Sequence, residues 1–167
     1  MMYRSLGACL GVLIVMAGCG NEPASSAVDP TDSLVASLAE KAVVDSGFNI
    51  PAEIFVREAL YEDVMAVQYE GVPEFLVEGD KSALLSKFSD QAPVVFFTDP
   101  SAVVDGDWNL LPNRLVVLIG PIENVEGGQV VAVGVLAGSG LDNAYVGRYP
   151  VNPDTGEVSD SPRITMV

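Results

Sequence analysis

The apolar positions of this chain recur with two different periods. From Leu34 the spacing is helical: Leu34, Leu38 and Ala42 stand four apart, and Val35 and Val43 flank the same stripe. Ahead of it, Asp29-Pro30-Thr31-Asp32 supplies a capping residue, a first-turn proline and an acid near the positive end of the helix dipole. Gly47 predicts the C-terminal stop. A second helix is expected after Asn49-Ile50-Pro51. There Ile54, Val56, Ala59, Leu60 and Val64 hold roughly one face, while Glu53, Arg57, Glu58, Glu62 and Asp63 are polar. Val64 to Tyr69 reads equally as an extension of that helix or as a short strand. Ser82 to Phe88 predicts a short helix capped by Asp80.

Beyond residue 93 the pattern is that of strands. Val94 to Thr98 is β-branched and aromatic, bounded by Pro93 and Asp99-Pro100. Arg114 to Gly120 is apolar on both faces, as a central strand requires. Gln129 to Leu136 pairs with it across Glu126-Gly127-Gly128. In that strand Val131, Val133 and Val135 share one face, and the other carries Ala132 and Gly134, small enough for a helix to approach. Ala144 to Val151 and Pro162 to Val167 predict a last hairpin around Asn152-Pro153-Asp154-Thr155-Gly156. Pro150 lacks a donor and belongs at an edge or a strand end. The expected fold is α+β, with N-terminal helices packed on an antiparallel sheet of about four to six strands. This order resembles NTF2-like and cystatin-like domains, in which helices pack on a curved sheet. It also resembles small bacterial lipoproteins that end in a strand, a turn and a strand. Those often carry an aromatic residue after the last turn, where this chain has Glu157 and Val158. The likeness lies in element order and brings no site residues with it.

Composition changes the picture at the N-terminus. The chain has 167 residues, 49% of them hydrophobic, and its mean hydropathy is +0.35. Part of that comes from Leu6 to Gly18, a run without a charge that follows Arg4. The run is too short to span a bilayer, which needs about 20 apolar residues, and suits the apolar region of a secretory signal. It ends in Val15-Met16-Ala17-Gly18-Cys19, which resembles the lipobox of bacterial lipoproteins, with Met16 where the family most often has Leu. The resemblance implies a diacylglycerol thioether on Cys19, cleavage before it and acylation of the freed amine. It divides the chain into a signal peptide (1–18), a lipidated tether rich in Pro, Ser and Ala (19–30) and one domain (31–167). Gly20, not Asp, follows Cys19, and in that family this favours the outer membrane, facing the periplasm. Cys9 then lies in the discarded peptide, and the mature chain has no thiol for an internal disulfide.

Charge excludes several functions. There are 23 acidic residues against 8 basic ones and no histidine, for a net charge of −15. Without Arg4 the mature chain stands near −16. Nucleic acid is not an expected partner, because phosphate binding needs clustered Lys and Arg. Without histidine there is no His-based triad, His-ligated zinc or His-ligated haem. Gly138-Ser139-Gly140 is not a nucleophile elbow, since position 137 is Ala. Nor is there a Ser-x-x-Lys: Ser37 is followed three later by Glu40, and Ser82 by Leu85. Phosphate-loop and dinucleotide fingerprints are missing.

Three local features remain. Asp99, Asp105 and Asp107 are the densest acidic cluster, and Asp105-Gly106-Asp107-Trp108-Asn109 copies the first half of an EF-hand loop. Leu110 and Val116 then stand where that loop needs Gly and Glu, so the acids read in preference as turn formers, a looser Ca2+ loop site being the other reading, and no metal site is assigned. Trp108 is the only tryptophan. It reads either as a partner contact or, in preference, as a plug folded back on the end of the sheet. Glu70 to Asp80 alternates acids with apolar residues and reads as a surface loop with Phe75 and Val77 tucked inward; a docking edge anchored by Phe75 and Leu76 is the other reading. The expected function is a non-catalytic lipoprotein, membrane-bound through acyl chains on Cys19, that binds or inhibits an envelope protein or maintains the envelope, with no cofactor. The alternative is a small apolar-ligand binder of NTF2-like type. A carboxylate-based hydrolase comes third: 23 acids offer many pairs, but the sequence marks none at the separation such a mechanism needs, and the domain is small for a sugar cleft.

Overall fold

The computed structural model of the chain describes residues 33–66, 73–138, 143–152, 155, 157–159 and 163–164. In order the elements are α1 (Leu34–Ser46), β1 (Glu53–Arg57), β2 (Ala59–Leu60), β3 (Glu74–Phe75), α2 (Glu78–Phe88), β4 (Val94–Phe97), β5 (Arg114–Val125), β6 (Gly128–Ala137), β7 (Ala144–Val151) and β8 (Arg163–Ile164). The fold is α+β.

α1 starts and stops on local chemistry. The Ser33 hydroxyl accepts a hydrogen bond from the Ala36 N–H at 3.5 Å, and Gly47 ends the helix in the left-handed region at φ 67°, donating its N–H to Val44 O. The start expected over Asp29–Asp32 lies outside the described residues. α2 begins at Glu78, so Asp80 sits in its first turn and not at its cap. There it accepts from the Ser33 hydroxyl at 2.7 Å and ties the two helices together.

The helix expected after Pro51 is instead strand β1. Its residues Ile54, Phe55 and Val56 are consecutive, branched or aromatic, and all buried, the pattern of a strand covered on both faces. A helical stripe would set Arg57 on the polar face, yet Arg57 is only 6% exposed.

β1 also makes the six-stranded sheet mixed, where an antiparallel one was expected. The strand order is β4-β1-β5-β6-β7-β8. β1 runs parallel to both neighbours, with Ile54 opposite Val94 and Leu115. The remaining pairs are antiparallel, and the predicted hairpin of β5 and β6 forms, turning at Gly127 and Gly128 with φ 93° and 147°. β2 and β3 make a separate two-stranded ladder. The chain leaves β1 through α2 to reach β4 on one side. It then returns over β1 to reach β5 on the other. Right-handed crossovers place moves in opposite directions on opposite faces. α2 on the first connection and the loop on the second accordingly enter different clusters of buried side chains.

The first cluster holds Leu38, Ala39 and Ala42 of α1, Leu84 and Phe88 of α2, and Ile54, Val56, Leu115, Val117, Ile119, Val131, Val133 and Val135 of the sheet. The second takes the alternate strand residues Phe55, Phe97, Val116, Leu118 and Ala132, together with Val64, Val103 and Leu110 from the connections. Ala132 and Gly134 therefore do not receive a helix. A Cβ at Gly134 would lie 3.3 Å from Met65 Sδ, and one at Gly120 would lie 3.1 Å from Val64 Cγ1. The small residues admit the turn after β2.

Candidate functional site

The connection from β4 to β5 builds one lip of a cleft over the second cluster. A single 3-10 turn, Pro100–Ala102, is capped by Asp99, whose carboxylate accepts from the Ser101 N–H at 2.9 Å. A tight loop follows. Val104 bridges Leu110, the Leu111 N–H donates to Val103 O at 2.8 Å, and the buried side chains of Val103 and Leu110 anchor the loop's base. At its tip, Asp105 Oδ1 accepts from the N–H groups of Asp107 and Asn109, each at 2.9 Å. These bonds hold both carboxylates below the ordinary Asp range, Asp105 chiefly through the Asn109 N–H and Asp99 through the Ser101 N–H.

Trp108 occupies the loop position that turns the chain back, at φ 63°. For a residue with a Cβ this left-handed conformation costs about 1–2 kcal/mol, and glycine is its usual occupant. Its N–H donates to Asp105 O, which closes the turn beneath it. The side chain is 51% exposed, so Trp108 is not the buried plug that its size predicts.

The opposite lip is the turn after β2, and Arg57 holds it. The guanidinium donates from Nε to Ala59 O, from one terminal nitrogen to Ala66 O and from the other to Val64 O, at 2.8–3.0 Å. It also stacks 4.4 Å from the centre of the Tyr61 ring. Burial pulls Arg57 down to about 10, against the opposing influence of Tyr61 and Asp63. The side chain is thus still charged at neutral pH, and three carbonyl oxygens surround that charge. Sequence reasoning missed this residue. The signal was an arginine closing the apolar run Ile54-Phe55-Val56, where a surface helix would not place three apolar residues in succession.

Between the lips lies a cleft of about 120 Å³, floored by Val116, Leu118 and Leu136 and walled by Met65, Tyr61, Val104 and Trp108. A second depression of about 270 Å³ adjoins it. It is lined by Asp99, Ser101, Asp105 and Gly106 and shares Pro100, Val104 and Trp108 with the first. Trp108 therefore stands between an apolar hollow and an acidic one.

Of the residues singled out by sequence, Asp99, Asp105 and Trp108 come together at this cleft, and Asp107 adjoins them. The two carboxylates serve as turn acceptors, and among the described residues no group of three or more His, Cys, Asp or Glu is placed to hold a metal ion. Cys19 and Ser139 lie outside the described residues. Phe75 and Val77, expected inward, are exposed at 52% and 63%, and Leu76 between them is buried. Leu76 lies just past β3, and its N–H donates to Glu58 O at 2.9 Å. Comparison with protein-family models, with curated proteins and with solved structures finds no match.

Proposed function

We propose that the chain is a non-catalytic envelope lipoprotein, anchored through Cys19 at the outer membrane, whose periplasmic domain binds another protein at the Trp108 cleft. The observation that carries the binding reading is Trp108 itself: half-exposed, held in a strained backbone conformation and set beside an apolar hollow. Strain of this kind persists where function requires it, and tryptophan leads the residues that dominate protein interfaces. The size of the hollow supports a side chain as its occupant. A cavity of about 150 Å³ holds one benzene ring, whereas drug-sized ligands need about 300 Å³ or more. An NTF2-like ligand would sit between helices and sheet, and there Leu38, Leu84, Phe88 and Tyr149 are fully buried. Hydrolysis by a carboxylate pair needs one acid raised toward neutrality, and Asp99 and Asp105 are lowered.

Photo-crosslinking tests the binding reading. A benzophenone side chain at position 108 should trap a defined adduct in intact cells, and the same group at Val44, exposed on α1, should not. Identical adducts at both positions, or none at 108, would overturn it. The anchor is tested by Cys19→Ala, which should leave uncleaved precursor and remove fatty-acid labelling; persistent labelling refutes lipidation at this residue.

A further inference from the structure

We infer that the partner segment presents one apolar side chain with a Lys or Arg beside it, the apolar group entering the hollow under Trp108 and the cation the acidic depression across its ring. The inference rests on the binding reading above and names the chemistry of the partner. Three observations argue for it. The hollow accommodates one ring or branched aliphatic group, and Met65 in its wall can adapt to either. The adjoining depression shares Trp108 and is lined by Asp99 and Asp105, with Asp107 next along the loop. Both lining carboxylates are held in their charged form by backbone N–H groups, so their charge is present at any physiological pH. Finally, Arg57 is the single cation among the described residues lining either depression, and three of its nitrogens already donate to carbonyls.

The rest of the surface points the same way. Lys41, Lys81 and Lys87 are all on the helices and pair with Asp45, Glu58 and Glu40 at 3.6, 2.7 and 2.8 Å. None of the three lines either depression, nor does Arg114, which stacks 4.6 Å from the Phe55 ring, or Arg148, which pairs with Glu123. A cation over the indole face gains attraction from the ring as well as from the carboxylates. A second copy of this chain would bring a like-charged surface to the cleft, which costs affinity.

Trp108 is the only tryptophan, so its emission in the full-length, detergent-solubilised chain reports the cleft directly. The probe is a short peptide with one Phe flanked by lysines. It should shift the emission saturably, with affinity falling as salt rises. Replacing its Phe by Ser, or its lysines by Glu, should weaken binding about tenfold or more. Asp107→Lys, in an exposed side chain, should weaken the lysine peptide several-fold and improve the glutamate one. Equal responses to the lysine and glutamate peptides would overturn the inference. So would a response to benzene with none to the peptide, which identifies a small-ligand site. A Trp108 signal that depends on protein concentration alone, with a dimer in sedimentation, would assign the cleft to a second copy. Crosslinking separates the two levels. Capture at position 108 that is unchanged by salt and by Asp107→Lys refutes the charge assignment and leaves the binding reading standing. Absence of capture refutes the binding reading itself.

Discussion

The two faces of the sheet are built by different means. On one, long side chains from both helices and five strands interlock: Leu38, Leu84, Phe88, Ile54, Leu115 and Tyr149 are all fully buried. On the other, two irregular connections lie over shorter side chains, and a charged guanidinium takes the place of part of the apolar filling. Regular helices satisfy their own backbone, so the first face can be almost wholly apolar. Tyr149 is its polar exception, and its hydroxyl donates to Asp45 and meets the Tyr145 hydroxyl, each at 3.0 Å. A loop brings unpaired carbonyls with it, and the second face needs Arg57 to receive them. The contrast teaches where function can sit. A close-packed face has no room for a partner, whereas a loop-covered face can keep a hollow and tolerate strain at Trp108.

Four substitutions test the difference between the faces. Phe88→Ala empties a close-packed site and should cost about 3–5 kcal/mol in denaturant unfolding. A loss under about 1 kcal/mol would show that the helix-side cluster is not the stable one. Next in size, Arg57→Met leaves the carbonyls of Ala59, Val64 and Ala66 without their donor and should cost about 2–4 kcal/mol. Hydrogen exchange should speed up over 59–66 before the helices respond; uniform acceleration would mean that Arg57 supports the whole fold and not its own lip.

Tyr149→Phe should cost about 1 kcal/mol near neutral pH, the net value of its hydroxyl bonds. It should also flatten the alkaline limb of the stability profile. Burial, followed by the neighbouring Tyr145 hydroxyl and the Asp45 carboxylate, raises Tyr149 above its ordinary 10.0. A group raised in the folded state contributes stability that is complete below its unfolded pKa and is lost as pH climbs above it. The parent should therefore weaken beyond about pH 10 more steeply than the phenylalanine variant. Parallel profiles would contradict this. The smallest effect on stability belongs to Trp108→Gly. Relief of left-handed strain and the entropy of an added glycine nearly cancel, so unfolding should stay within about 0.5 kcal/mol of the parent. Binding of the Phe–Lys peptide, followed by the anisotropy of a dye on the peptide, should nevertheless be lost. A large destabilisation would identify Trp108 as a structural residue.

The two faces also differ in how well they can be read from the sequence. The helix-side pattern is visible in one dimension: the stripe from Leu34 to Val43, the stop at Gly47, and Val131, Val133 and Val135 on one face of a strand. The β5–β6 hairpin is equally legible, because its turn glycines lie between two apolar runs. β1 was not legible, because five residues with Arg at the end satisfy a helical stripe as well as a strand. That misreading hid both the parallel pairing and the cleft. At the site, Asp99, Asp105 and Trp108 were visible as a group within one loop, while Arg57, Tyr61 and Met65 come from a different part of the chain.

The charge of −15, the absence of histidine, the solitary tryptophan and the turn chemistry around Asp105 and Gly127 follow from the order of residues alone. Each depends on composition or on neighbours a few residues apart. That β1 lies between β4 and β5, that Arg57 is buried, and that Trp108 and Met65 line one hollow are outcomes of the folded arrangement. Those outcomes depend on pairings between strands some 40 to 60 positions apart, such as Ile54 with Val94 and Leu115. A local pattern reports only which side chains seek burial; the register of distant strands selects what they are buried against.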